Sequence, residues 1–185
     1  MDFPAILLLA CGLAMDAAAV SASRGMAASR IRIRHAVLVA TFFGGFQALM
    51  PLVGWLAGSR VGPLLGGWDR WIAFVLLAGI GAKMLWEAHS PEEVPDPGHD
   101  EKLFGLRVMF LLAVATSIDA LAAGFTLPLL GAPLLPSIVT IGVVTAVLSV
   151  AGLVAGRRFG ALLGRRLDAA GGVVLVGLAI KSLIS

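Results

Sequence analysis

The sequence predicts an all-α integral membrane protein in which six transmembrane helices form two three-helix repeats of inverted topology, with both termini outside. Three observations predict this fold class. Of the 185 residues, 59% are hydrophobic and only 14% are charged, whereas soluble domains carry about 25% charged residues. The apolar residues fall into six long runs, and the second half of the chain repeats the pattern of the first.

The six runs are long enough to cross a bilayer, since a hydrocarbon core of about 30 Å requires roughly 20 residues of helix. They cover residues 3–23, 35–58, 69–89, 105–126, 134–157 and 168–185. Between the fourth and fifth runs, the uncharged stretch 127–136 contains Pro128, Pro133 and Pro136. Prolines interrupt helices, so we expect a tight loop there.

Arginine and lysine set the orientation of the runs. The first, third and fifth connectors carry most of them: Arg24, Arg30, Arg32, Arg34, Lys102, Arg107, Arg157, Arg158, Arg165 and Arg166. The second connector has only Arg60 and Arg70, and the fourth has none. Basic connectors face the cytoplasm, which predicts cytoplasmic odd-numbered connectors. Positive charge at the ends of apolar runs indicates a lipid bilayer as the partner, and not nucleic acid.

The third connector, residues 91–103, is acidic and rich in proline. It divides the chain into a first repeat, residues 1–90, and a second repeat, residues 104–185. His89 and His99 beside its carboxylates offer a loose metal site. Its composition favours a solvated, mobile linker instead.

A shift of 98 residues superimposes the two halves. It aligns Gly44 with Gly142, Gly54 with Gly152, Gly58 with Gly156, Gly62 with Gly160, Gly66 with Gly164, Gly79 with Gly177, and Lys83 with Lys181. Each half contains three spans, an odd number, so the second half must lie upside down relative to the first. Inverted repeats are typical of secondary transporters, whose substrate site lies near the midplane between the repeats.

An aspartate interrupts the first run of each half. Asp16 is the only charge between Phe3 and Ser23, and Asp119 lies in a similar small-residue segment of the fourth run. A charge inside the hydrocarbon costs roughly 2.5–3.5 kcal/mol even on the lenient insertion scale, and its default interpretation is functional. We therefore expect the two aspartates to form one site.

Polar residues of the second and fifth runs fall at a similar depth. Counting from the cytoplasmic ends at 1.5 Å per residue, Asp16 and Asp119 lie roughly 12 and 18 Å deep. Gln47 and its repeat partner Thr145 lie at a comparable level. Thr116, three residues before Asp119, shares the face of that carboxylate. Pro51 frees the main-chain carbonyl of Gln47, because proline has no N–H to donate.

Two carboxylates, an amide, hydroxyls and a free carbonyl form an all-oxygen site. Such a site suits hard divalent ions such as magnesium, calcium and manganese. The predicted metal ligands are Asp16, Asp119, Gln47, Thr116 and Thr145. Cys11 is the only cysteine, so no cysteine cluster competes, and we expect no bound cofactor. Two close carboxylates in a low-dielectric pocket cannot both stay ionised without a cation, which predicts exchange of metal for protons.

A structural role for the aspartates is the alternative to metal binding. Each could be a buried, hydrogen-bonded residue paired with Lys83 or Lys181. Lys83 is also spaced for an ion pair with Glu87, four residues further along the helix. The repeat relationship between Asp16 and Asp119 favours the functional interpretation.

The chain resembles the bacterial manganese efflux pump (MntP) family. The resemblance rests on Met15-Asp16-Ala17 with Ser21, Phe43-Gly44, Gln47, Pro51, Gly54-Trp55, Trp71-Ile72-Ala73-Phe74, Ala115-Thr116-Ser117-Ile118-Asp119-Ala120 and Gly171-Gly172. It covers nearly the whole chain. It implies a six-helix inner-membrane protein that exports Mn²⁺, is distantly related to the lysine-exporter superfamily, and uses Asp16 and Asp119. Some members have Glu where this chain has Gln47, so the chain carries one negative charge fewer.

Three other functions compete with manganese export. Export of another divalent cation or of a small basic solute would use the same residues. An intramembrane aspartyl protease also needs two aspartates on different helices. Its Tyr-Asp and Gly-x-Gly-Asp motifs are missing, however, since the chain has no tyrosine and Ser117-Ile118 precede Asp119. A purely structural membrane subunit would leave the cost of the buried aspartates unexplained.

Overall fold

The computed structural model describes residues 3–61, 68–87, 103–159 and 162–184. Within these ranges the regular structure is entirely helical, as the sequence predicts. The elements are α1 (Phe3–Ala27), α2 (Ile33–Val39), α3 (Gly45–Val61), α4 (Asp69–Glu87), α5 (Leu106–Leu129), α6 (Leu134–Phe159) and α7 (Leu162–Ile184). Each of the six apolar runs therefore contains a helix. Apart from Leu103, the predicted acidic linker lies outside the described residues.

A π-helical turn, Ala40–Gly44, joins α2 to α3 without a break. The second apolar run is therefore one continuous helical segment. Pro51 lies inside α3, where its missing N–H removes one hydrogen bond of the helix. A π turn makes i→i+5 hydrogen bonds and is frequent near functional sites. Both irregularities flank Gln47, the polar residue that the sequence analysis placed at the site.

Four helical segments are long and apolar enough to cross a membrane: Phe3–Ala27, Ile33–Arg60, Leu106–Leu129 and Leu134–Phe159. The apolar parts of α4 and α7 are shorter, Trp71–Lys83 and Ala169–Ile180. Both shorter stretches end close to a lysine. The described structure thus supports a multi-pass membrane protein, and the crossing of the bilayer by α4 and α7 stays a prediction.

The loop between α5 and α6 is shorter than the sequence predicts. The sequence predicts a loop in the proline-rich stretch 127–136, but α5 continues through Pro128 to Leu129 and α6 begins at Leu134. The helix ends in a Schellman motif: the N–H of Ala132 donates to the carbonyl of Leu127 (2.9 Å), and that of Gly131 to Pro128 (3.2 Å). Gly131 supplies the required positive φ of 62°, so this glycine, and not the proline, ends the helix.

The most extensive helix contacts join the two halves of the sequence. Helix α1 packs on α6 and α7, α3 packs on α5, and α4 packs on α7. Each of these pairs takes one helix from before the acidic linker and one from after it. Helix α1 is buried along most of its length, so the first helix of the chain lies at the centre of the bundle.

Glycines bring the backbones of the paired helices close together. A Cβ atom added to Gly152 would collide with the main-chain oxygen of Ala18, and one added to Gly156 with that of Ala22. Residue numbers increase together along the contact, so α1 and α6 run parallel. In the same way Gly54 lies on Leu121 and Gly58 on Phe125, so α3 and α5 are parallel too.

The basic connectors meet at one end of the bundle. The guanidinium of Arg157, at the end of α6, donates to the carbonyl of Ala28, just after α1. Arg24 donates to the carbonyl of Leu103 (3.5 Å), ahead of α5. The buried ring of His35 stacks on Phe104 with their centroids 4.2 Å apart. Parts of the first, third and fifth connectors therefore lie on one side.

Candidate functional site

The two aspartates predicted from the sequence share one cation. Asp16 on α1 and Asp119 on α5 are buried, with 8% and 7% of their surface exposed. The ammonium of Lys83, on α4, donates to Oδ2 of Asp119 at 2.7 Å and lies 3.7 Å from Oδ2 of Asp16. The carboxylates therefore converge, as expected, and a lysine ammonium lies at the point of convergence.

Small residues allow the carboxylates to lie inside the bundle. Asp16 is followed by Ala17, Ala18 and Ala19, and these alanines are buried against neighbouring helices. Asp119 precedes the buried Ala120. Burying a carboxylate is costly unless it is paired and hydrogen-bonded. Lys83 offsets one of the two negative charges, so the three groups together carry a net charge of −1 when all are ionised.

Lys83 is more accessible than the groups it contacts. Its side chain is 46% exposed, whereas each aspartate side chain is 10% exposed. A lysine holds its charge on a flexible four-carbon stem, so the ammonium can move while the carboxylates stay fixed on buried helices. The contact joins two buried carboxylates to a half-exposed ammonium.

The α6 turn that carries Thr145 and Ser149 lies level with Asp16. In the parallel pair α1 and α6, Gly152 lies on Ala18, and Gly25 lies on Leu153. At equal rise per residue, these contacts place Asp16 between the levels of residues 144 and 150 of α6. Thr145 and Ser149 are fully buried and belong to the glycine-bearing face that α6 turns toward α1.

The corresponding α3 turn lies level with Asp119. Here Gly54 lies on Leu121, and Gly124 lies on Pro51, which places Asp119 level with the turn from Gln47 to Pro51. Gln47 is buried, and its Nε2 donates to the carbonyl of Leu13 on α1 at 3.0 Å. Since Leu13 is one turn before Asp16, the amide of Gln47 lies between the two aspartate-bearing helices.

Three buried oxygen atoms near these levels have no hydrogen-bond partner among the described residues: Gln47 Oε1, Thr145 Oγ1 and Ser149 Oγ. A buried polar atom without a partner costs about 1–3 kcal/mol. Such atoms are retained where a ligand, water or ion completes them. The three oxygens come from corresponding segments of the two halves, because Gln47 aligns with Thr145 and Pro51 with Ser149.

Thr116 does not join this group. Its Oγ1 donates within α5, to the carbonyls of Leu112 (3.0 Å) and Ala113 (3.3 Å), and the residue is only half-buried. Hydroxyls in helices often bond back to their own carbonyls. A ligand role for Thr116 would require it to turn its lone pairs toward a cation bound beside Asp119.

The chemistry available at the site is that of a cation held by oxygen. Among the described residues, no three His, Cys, Asp or Glu side chains come together. The neutral oxygens that the described residues offer at these levels are Gln47 Oε1, Thr145 Oγ1 and Ser149 Oγ. Hard divalent ions accept such mixed oxygen sets.

Sequence reasoning offered Lys83 as a partner of either aspartate, and the ion pair with Asp119 confirms that pairing. It did not foresee that both carboxylates lie near this one ammonium, although Lys83 is the only charged residue between Arg70 and Glu87. It also did not name Ser149, which is fully buried, as a ligand. The side chains of Glu87 and Lys181 lie outside the described part of the structure.

Comparison with known proteins gives one consistent result. A family model described as "Putative manganese efflux pump" matches residues 30–183. A protein of Sorangium cellulosum named "Putative manganese efflux pump MntP" is 65% identical over 187 residues, covering 100% of this chain and 97% of that protein. Proteins of the same name from Methanosarcina mazei and Ruminiclostridium cellulolyticum are 45% and 43% identical, covering 99% and 98% of this chain and 96% and 95% of theirs. No solved structure matches.

Proposed function

Since this chain belongs to the manganese efflux pump family, we propose that it exports Mn²⁺ across the cytoplasmic (inner) membrane through the site formed by Asp16 and Asp119. One observation carries the proposal: two buried carboxylates, one from each half of the chain, converge on the ammonium of Lys83. The charge of the pair matches that of a divalent ion. The cation in the structure is an ammonium, which shows that the geometry accepts positive charge at that point.

The remaining ligands are drawn from the buried oxygens at the same levels. Gln47 Oε1 and Thr145 Oγ1 have no partner among the described residues, and we assign them to the metal. Thr116 Oγ1 completes the set after rotation, and Ser149 is added to the residues identified from the sequence. The oxygen set of two carboxylates, an amide and hydroxyls suits manganese as a hard divalent ion.

The packing supports two inverted repeats, residues 1–90 and 104–185. The repeat relates α1 to α5 and α6 to α3, so the pair α1–α6 corresponds to the pair α5–α3. The two helices of each pair run parallel. By contrast, Gly81 and Gly172 each lie close to the other's carbonyl, with Gly81 near Val176 and Gly172 near Leu85, so α4 and α7 are antiparallel. These relative directions are those expected for six spans that alternate in direction.

Exchange of Mn²⁺ for protons explains how the protein returns to its starting state after it has released the metal. When Mn²⁺ leaves, the pair of aspartates cannot stay doubly ionised in a low-dielectric pocket without compensation. Lys83 supplies one positive charge, and one proton would neutralise the rest. We therefore propose cation/proton antiport, with the carboxylates alternately bound to metal and protonated.

Export of a basic solute is the second candidate, because the structure has an amine between the carboxylates. A lysine-like substrate would present the same ammonium. The same contact counts against an aspartyl protease, since that enzyme needs a water molecule where Lys83 Nζ lies. Another divalent metal would use the same ligands as Mn²⁺.

The test is manganese accumulation in cells that lack their own exporter and are loaded with Mn²⁺. They express the wild type, Asp16→Asn, Asp119→Asn or, as a matched control, Asp100→Asn in the predicted linker. We expect the wild type and Asp100→Asn to lower internal Mn²⁺, and the two site variants, present in the membrane at equal amounts, to leave it high. Export by both site variants at the wild-type rate would overturn the proposal. If the wild type lowers the internal concentration of lysine or Mg²⁺ and not that of Mn²⁺, the alternative substrate is the correct one.

A further inference from the structure

Lys83 occupies the position that a transported metal would need. Its Nζ lies 2.7 Å from Asp119 Oδ2 and 3.7 Å from Asp16 Oδ2. A divalent ion bound to oxygens of both carboxylates would lie about 2.0–2.6 Å from them. The ammonium and the metal therefore compete for one small space between the same two oxygens.

Charge also opposes binding of the ammonium and the divalent ion at the same time. The carboxylate pair carries −2, so an ammonium leaves −1 and a divalent ion leaves zero. Both together would leave a charge of +1 on the two carboxylates and their two cations. Two cations of charge +1 and +2 a few ångströms apart repel strongly at the low dielectric of such a site. The ammonium must therefore leave when a divalent ion binds.

Lys83 has the means to leave. Almost half of its side chain is exposed, while the aspartates are buried. Helix α4 packs mainly on α7, and its contact with α5 is smaller, so the aspartate-bearing helices do not need to move with the lysine. Rotation about the bonds of the lysine stem is enough to withdraw the charge.

We propose that Lys83 is a tethered counter-cation: it neutralises part of the aspartate pair when no metal is bound, and an incoming divalent ion must displace it. This inference rests on the proposed function. It gives a role in transport to Lys83, which is not one of the proposed metal ligands. It makes Lys83 a determinant of specificity. A monovalent ion would only replace one positive charge by another, whereas a divalent ion gains a second unit of attraction.

The first test measures Mn²⁺ binding to the purified full-length chain in detergent. Wild type is compared with Lys83→Met, which keeps the length of the side chain and removes its charge. If Lys83 holds the pair nine-tenths of the time, its removal should tighten Mn²⁺ binding about tenfold. Lys102→Met, the same change in the predicted linker, should leave the affinity unchanged.

The direction of the effect separates this role from a structural one. A lysine that only supports the fold would, when removed, loosen the site and weaken Mn²⁺ binding. Unchanged or weaker binding by a folded Lys83→Met protein would therefore overturn the inference while leaving manganese export intact. A wild type that binds no Mn²⁺ and lowers no cellular Mn²⁺ would overturn both the inference and the proposed function.

The second test uses the wild type alone and does not depend on a variant that folds. An amine-reactive acylating reagent is applied with and without Mn²⁺, and mass spectrometry of the digested protein gives the labelling rate at Lys83, with Lys102 as internal reference. Displacement by metal should raise labelling at Lys83 several-fold relative to Lys102. Equal labelling at saturating Mn²⁺ would show that the ammonium stays in place and would refute the proposal.

Discussion

Gly44 and Gly142, which occupy corresponding positions in the two halves, face each other where the helical segment containing α3 crosses α6. A Cβ atom added to Gly44 would lie 2.9 Å from the carbonyl oxygen of Gly142, and one added to Gly142 would lie 3.1 Å from that of Gly44. This reciprocal contact sets the distance between the two helices that carry Gln47 and Thr145. The neutral oxygens of the site are therefore positioned by backbone contact.

Enlarging the glycines that separate the paired helices should destabilise the protein. We expect Gly54→Leu and Gly152→Leu to cost at least the 1–3 kcal/mol typical of overpacking, because each added side chain meets main-chain atoms. Thermal unfolding in detergent measures the loss. Gly79→Leu and Gly177→Leu are matched controls, since a Cβ at either position meets nothing within 4 Å. Equal melting of all four variants would contradict the close backbone packing.

Removing the unpartnered hydroxyl of Thr145 should affect binding and not folding. In Thr145→Val the lost hydroxyl has no partner among the described residues, so stability should be unchanged or higher. Mn²⁺ binding should weaken by about tenfold if a neutral ligand worth roughly 1.4 kcal/mol is lost.

Thr126→Val provides the control for that experiment. Thr126 is equally buried, but its hydroxyl donates to the carbonyl of Ala123 at 2.7 Å. This change should leave Mn²⁺ affinity at the wild-type value. A Thr145→Val protein that binds Mn²⁺ like the wild type would remove Thr145 from the ligand set.

Lys83 should couple more strongly to Asp119 than to Asp16. The ammonium is hydrogen-bonded to Asp119 at 2.7 Å but lies 3.7 Å from Asp16. Since Lys83 is 46% exposed, we expect a coupling with Asp119 of about 1 kcal/mol, as in other exposed ion pairs. Double-mutant cycles with Lys83→Met, Asp119→Asn and Asp16→Asn, read by reversible unfolding without metal, measure both couplings. A larger coupling with Asp16 would show that the ammonium favours the other carboxylate.

The loop between α5 and α6 should depend on Gly131. Its φ of 62° lies in the left-handed region, which costs a residue with a side chain about 1–2 kcal/mol. Gly131→Ala should lower the unfolding free energy by about that amount and leave Mn²⁺ affinity unchanged. Gly45→Ala, at an exposed helical glycine with nothing within 4 Å of its Cβ, should be neutral or stabilising. Equal stability of the two variants would refute this account of the turn.

Much of the architecture could be predicted because hydropathy reports directly on membrane spans. Each of the six apolar runs contains a helix, and Asp16 and Asp119 converge as their repeat relationship indicates. The predicted end of α5 was wrong by a few residues, because Pro128 lies in the last turn of the helix and Gly131 ends it. Proline is visible in a sequence, but whether its neighbours form a capping motif depends on geometry.

The role of Lys83 could not be read from the chain for a different reason. Its contact with Asp119 joins the third helix of one half to the first helix of the other. Local spacing indicates Glu87, which is four residues away and whose side chain lies outside the described part of the structure. Tertiary packing brings two carboxylates that are distant in the sequence to the same ammonium. Hydropathy says which segments are buried, but it does not say which helices become neighbours.

The contacts between halves have a consequence for synthesis. Because the most extensive helix pairs each join one half to the other, the helices of the first half are synthesised before their main packing partners exist. Until the ribosome has delivered α5, α6 and α7, α1 lacks the helices that bury most of it, and Asp16 lacks the packing around it. Lys83 belongs to this first half, so the growing chain already carries a counter-charge for Asp16.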